Sequence, residues 1–214
     1  MNYKVEELNN NQNFRQILAV SYSDLISFIF MHLKKFNIMI FLFLLLCAVF
    51  LGIAINARIA IASEYSFFNI ALHSLLGFII FPVVCIPVHE ILHIIPYYLS
   101  GARNIRIGMD LKQYIFYVTA HRYVATPAHF IIVALIPFIL ISLSIIILIF
   151  ILPALWKWSL SVFLFAHATM CAGDFALLNF YYVNRDKKIY TWDDADEKMA
   201  YFYEKIVKKD GVME

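Results

Sequence analysis

Residues 85–101 read CIPVHEILHIIPYYLSG. His89 and His93 are four apart, so on a helix their imidazoles share one face and can reach one ion. Glu90 follows His89 and can approach a metal-bound water from beside the pair. This is the HExxH spacing, in which two histidines bind zinc and the glutamate serves as general base. A chance HExxH in a chain of this composition has a probability on the order of 1%. Nearly every neighbour is apolar, and an ionisable group at membrane depth is costly and usually functional. The bland alternative is that the three groups only hydrogen-bond to neighbouring helices.

A catalytic zinc site takes three protein ligands and leaves a fourth position open. The candidate third ligand is Asp174, the one acidic residue in the apolar stretch HATMCAGDFALLNFYY. Depth supports it if the two helices run antiparallel. Measured back from Tyr97, His93 is one helical turn away and His89 two; measured back from Tyr181, Asp174 falls between them, at about 1.5 Å per residue. His73 lies far up the helix from His89. His167 is two turns from Asp174 and fits a supporting role, or a helix-packing one. His121 and His129 flank the start of the third apolar stretch; both read by default as surface or interfacial histidines, and reach the site to contact a substrate carbonyl only if the connecting loop folds back. Cys171, one turn from Asp174, reads as a packing residue, as do Cys47 and Cys85. Three cysteines without a CxxC pair argue against a disulfide framework or a cysteine-rich zinc site.

These residues must be positioned by membrane-type elements. The chain has 214 residues, of which 63% are hydrophobic and 15% charged, against about 45–50% and about 25% in soluble proteins. A net charge of +2 gives no argument for nucleic acid. Four stretches are long enough to span a bilayer: about Phe36–Ala57, Phe67–Leu99, Ala128–Leu152 and Leu155–Val183. Pro82, Pro87 and Pro96 surround the motif and predict a kinked second span. The polar N-terminus predicts no cleavable signal peptide.

Basic residues set the expected orientation. Lys34 and Lys35 precede the first span; Arg103, Arg106, Lys112 and Arg122 lie between the second and third; Arg185, Lys187 and Lys188 follow the fourth. This bias places both termini in the cytoplasm of a multi-pass cell-membrane protein. Trp156 and Trp158 then mark the outer interface, and Tyr97, Tyr98, Tyr181 and Tyr182 the inner one. The expected architecture is an all-α membrane protein of about four transmembrane helices. Residues 1–35 form a cytoplasmic or interfacial helix, on the stripe Phe14, Ile17, Leu18, Tyr22, Leu25, Ile26, Ile29 and Leu33. Residues 36–185 form the membrane domain. A short hairpin can form between the second and third spans, from NIRIGMDL and QYIFYVTA. Residues 186–214 form a soluble C-terminal helix. Thr191 caps it, Asp193 and Asp194 open it, Lys205, Lys208 and Lys209 close it, and Gly211 follows, with Ala195, Met199, Phe202 and Ile206 as its apolar stripe.

HEILH in one apolar helix, AGDFALLN in a later one, and a basic connection leading to an LIPF-containing span together resemble a family of small bacterial membrane proteins. That family is catalogued as a domain of unknown function and described as zincin peptidases. The likeness covers roughly residues 65–185. The arrangement is also similar to the site-2 intramembrane metalloproteases, although Asp174 stands in Ala-Gly-Asp-Phe rather than their usual Asn-Pro-Asp-Gly setting. The resemblance implies Zn²⁺ on His89, His93 and Asp174, Glu90 as the catalytic base, and a peptide or membrane-protein substrate. Two rivals use the same residues: a non-catalytic metal-binding membrane protein, and a metal-free polar network for protons or ions. The oligomeric state is not legible.

Overall fold

The computed structural model describes residues 3–9, 12–110 and 115–206. Its elements run α1 (Val5–Asn9), β1 (Phe14–Ser21), α2 (Leu25–Leu33), α3 (Ile38–Ala60), α4 (Phe67–Leu75), α5 (Phe81–Leu99), β2 (Ile105–Asp110), β3 (Ile115–Ala120), α6 (Pro127–Ile151), α7 (Ala154–Met170), α8 (Ala172–Val183), β4 (Ile189–Asp194) and β5 (Met199–Lys205). The protein is mostly helical, with small antiparallel sheets.

Among the described residues, three helices are long and apolar enough to cross a membrane: Ile38–Ala60, the continuous run Phe67–Leu99, and Pro127–Ile151. Helices α7 and α8 meet at a 43° bend and make a fourth crossing if the pair counts as one span. The outward faces of these helices carry exposed Leu, Ile, Val and Phe, as expected where the solvent is lipid. The main core cluster between them includes Phe43, Phe138, Leu164 and Phe175, and a smaller one joins Ala54, Ile70 and Trp158.

The Phe67–Leu99 run joins α4 to α5 through a π turn at Leu76–Ile80. Gly77 sits there against α7. A Cβ at Gly77 would run into the Ser159 carbonyl oxygen and lie 2.9 Å from Val162 Cβ. Close approach is how helices pack where no hydrophobic force draws them together. At the other end, Asn179 of α8 ties down the turn between α2 and α3. Its Nδ2 donates to the carbonyls of His32 (2.7 Å) and Lys35 (3.1 Å), and its Oδ1 accepts from Asn37 Nδ2 (2.6 Å). Asn37 also caps α3, accepting from the Met39 N–H.

The terminal segments differ from the helices expected of them. Residues 189–205 form a β-hairpin, not a helix. The acidic run is its turn: Asp194 Oδ1 accepts the N–H groups of Asp196 (3.0 Å) and Glu197 (3.1 Å), and Lys198 takes a φ of 54°. The flanks, Ile-Tyr-Thr-Trp and Tyr-Phe-Tyr, are β-branched and aromatic and favour strands. Lys208, Lys209 and Gly211 lie outside the described residues. Within 1–35, α2 is a helix, but Phe14–Ser21 is a strand that pairs antiparallel with β5. Its register shifts between Gln16 and Leu18. That bulge moves the apolar set from one face to the other, Phe14 before it and Leu18 and Val20 after it, which mimics a helical stripe.

The resulting sheet has the order β1-β5-β4. One face, with Phe14, Trp192 and Tyr203, is covered by Val5 and Leu8 of α1. The other, with Val20, Ile189 and Phe202, joins the membrane core. A second pair, β2 with β3, lies beside α5, and the segment after β3 bridges to β4 at His121–Asp193 and Ala125–Thr191. Tyr97, Tyr181 and Trp158 are buried within the protein, whereas Tyr98 and Trp156 are exposed. Neighbouring residues on a helix face different sides, so one aromatic of each pair turns inward.

Candidate metal centre

HExxH lies on the second half of α5, and both histidines are buried. Each ring is held at Nδ1. His93 Nδ1 donates to the Val133 carbonyl of α6 at 2.9 Å. His89 Nδ1 lies 3.4 Å from His167 Nε2 of α7. The other nitrogens point to α8. Asp174 Oδ2 is 3.2 Å from His89 Nε2, and Asp174 Oδ1 is 3.6 Å from His93 Nε2. The bend between α7 and α8 makes this placement, because it puts Asp174 in the first turn of a new helix. Gly173 beside it faces Ile29 of α2, whose Cδ1 would lie 3.4 Å from an added Cβ.

Donor chemistry and spacing suit a metal ion. Ligand atoms about 2.0–2.1 Å from a tetrahedral zinc are about 3.4 Å from one another; here one Asp174 oxygen lies 3.2 Å from His89 Nε2 and the other 3.6 Å from His93 Nε2. A histidine that donates through Nδ1 keeps its Nε2 lone pair for a metal, and such partners usually accompany ligating histidines. His89, Glu90 and His93 also offer ligand atoms within 4.8 Å of one another.

A cavity of about 430 Å³ opens onto these groups. His89, Glu90, His93, Tyr97 and Asp174 line it, with Val118 and Thr119 of β3 and one face of the terminal sheet. The Glu90 carboxyl is turned toward the Val118 backbone N–H. The lining is mainly apolar with a few converging polar groups, the usual character of a ligand site.

The other histidines fall elsewhere. His167 is fully buried behind His89 and does not line the cavity. Cys171, read as a packing residue, lies 3.7 Å from His167 Nε2 and 4.0 Å from His89 Nδ1. His73 bonds to Ser159 at 2.7 Å. His121 and His129 are not among the cavity residues. His121 sits with Asp194 and Asp196, and its Nδ1 accepts the Ala195 N–H. His129 caps nothing; its own N–H is capped by Thr126. Sequence reasoning missed Asp193, Thr119 and Tyr22. All three line the cavity, but Asp193 looked like the start of a solvated helix.

The domain family DUF3267, described as "Putative zincin peptidase", matches residues 80–189. No curated protein and no solved structure matches the chain.

Proposed function

The chain belongs to the domain family DUF3267, and on that premise we propose that it is a membrane-embedded, zinc-dependent peptidase. It hydrolyses peptide bonds of membrane-associated substrates near the cytoplasmic face. The observation that carries this reading is the convergence of two imidazole Nε2 atoms from α5 and one carboxylate from α8, at 3.2 and 3.6 Å, beside Glu90 in one cavity. His89, His93 and Asp174 would hold Zn²⁺. Bound there, zinc supplies Lewis acidity, lowering the pKa of a water from about 15.7 toward 7 and polarising the scissile carbonyl.

The rest of the chemistry belongs to the chain. Glu90 takes the proton of the attacking water and delivers it to the departing amine. The Nδ1 partners of both histidines, the Val133 carbonyl and His167, hold the rings with Nε2 turned to Asp174. The β3 edge beside Glu90 holds an extended segment by backbone pairing, which requires the substrate to be unwound there. His167 would steady the His89 ring from behind, while His121 and His129, expected to contact a substrate carbonyl, lie outside the cavity.

The topology is four spans, with α7 and α8 counted as one. Lys34, Lys35, Arg103, Arg106, Arg122, Arg185, Lys187 and Lys188 all flank the ends that carry the terminal sheet. Their excess over the opposite loops, which hold Arg58 and Lys157, supports the reading that this side is cytoplasmic.

The test is Glu90→Gln in the full chain. It should retain zinc and abolish cleavage of a co-reconstituted membrane peptide. Undiminished cleavage would remove Glu90 as the base. Zinc bound without cleavage by either protein would favour a non-catalytic metal-binding role.

A further inference from the structure

The three strands β1, β4 and β5, which lie outside the family-matched residues 80–189 apart from Ile189, supply a wall of the cavity. Their alternation is regular. Val20 and Tyr22 from the β1 end, Ala200 and Phe202 from β5, and Thr191 and Asp193 from β4 all face inward. Val20 and Asp193 flank Ala200 in one row, and Leu18 and Thr191 flank Phe202 in the next. Asp193 is the charged member of this wall. The hydroxyls of Thr119 and Tyr22 lie on its side of the cavity and favour its ionised form.

Charge counting isolates Asp193. The cavity lining holds three carboxylates, Glu90, Asp174 and Asp193, and no lysine or arginine among the described residues. A divalent ion on His89, His93 and Asp174 offsets Asp174 and Glu90. Asp193 is then left without a counter-charge, and it makes no ion pair with any described residue. Burying a carboxylate without a cation is expensive. An apolar pocket that keeps one in place is complementary to a cation brought by the ligand.

We propose that Asp193 is a specificity-determining subsite for a positively charged group of the peptide substrate, an alkylammonium or a guanidinium. This rests on the peptidase reading and assigns its substrate class. Thr119 and Tyr22 set polar hydroxyls on the same stretch of the cavity lining. Thr119 is one residue along β3 from Val118, whose N–H faces Glu90, so the cation bound at Asp193 belongs near the scissile bond. It is either a Lys or Arg side chain of the substrate or its free amino terminus.

The experiment measures binding rather than turnover. Full-length Glu90→Gln protein, zinc-loaded in detergent, is titrated with fluorescent heptapeptides at pH 7.5. The peptides carry a central lysine or its neutral isostere norleucine, each with a free or an acetylated amino terminus. The lysine or free-amine peptides should bind at least about tenfold more tightly, roughly the value of a charge-assisted hydrogen bond. Whichever arm shows the preference identifies the source of the cation. Adding Asp193→Asn should erase that preference and leave the affinity of the acetylated norleucine peptide unchanged. Binding that is tight but indifferent to charge, or a preference that survives Asp193→Asn, overturns the subsite and leaves the peptidase reading standing. Absence of binding by every peptide overturns both.

Discussion

Asp193→Asn should stabilise this protein at neutral pH and leave it unchanged in acid. Burial pushes the Asp193 carboxyl up to about 6 from its ordinary 3.8, against the lowering effect of the Thr119 and Tyr22 hydroxyls. The native state therefore holds the proton more tightly than the unfolded chain. Stability linked to this group is fully present below about pH 4 and is lost as pH rises through about 6. The loss amounts to about 3 kcal/mol at pH 7.5. Asparagine has nearly the same shape and carries no charge. In thermal unfolding followed by tryptophan fluorescence, the variant should melt about 5–10 °C above the parent at pH 7.5. The two midpoints should converge near pH 4. A variant less stable at pH 7.5, or a gain that is equal at both pH values, would refute the claim that an ionised carboxylate is held there at a cost. The gain also means that lost peptide binding in the same variant does not come from misfolding. Stability given up at a binding residue is the usual trade.

Two further outcomes follow from packing and from the metal site. Gly77→Val should lower the melting midpoint, by about 1–3 kcal/mol of overpacking, because its side chain meets the Ser159 backbone and Val162. Gly52→Val has nothing within 4 Å of its added Cβ, serves as the control and should melt with the parent. His167→Phe keeps a ring behind His89 but removes the partner of its Nδ1. Zinc affinity, measured by chelator competition, should fall about 10- to 100-fold, and an unchanged affinity would assign His167 to packing alone.

What was legible in the sequence was local. HExxH requires only a helix to put His89 and His93 on one face, and long apolar runs announce the membrane helices. The depth of Asp174 could be counted from the tyrosines because both helices end on the same side. The hydrogen bonds that orient the rings could not be read, since Val133 and His167 are ordinary residues on other helices. The terminal sheet was hidden for two reasons. Its pairing of β1 with β5 joins opposite ends of the chain. The bulge after Gln16 also disguised a strand as a helical stripe, and the acidic turn at Asp194–Glu197 copied the charge order of a helix start. Asp193 therefore looked solvated, when the sheet turns it into the cavity.

The central claim is that His89, His93 and Asp174 form a metal site. Metal content of the detergent-purified chain, supplied with zinc and free of chelators, tests it most directly beside a His89→Ala/His93→Ala variant. The account predicts about one zinc per chain in the parent and none in the variant. A parent without zinc would contradict it and leave the three residues as a polar network. Equal zinc in both proteins would place the metal elsewhere.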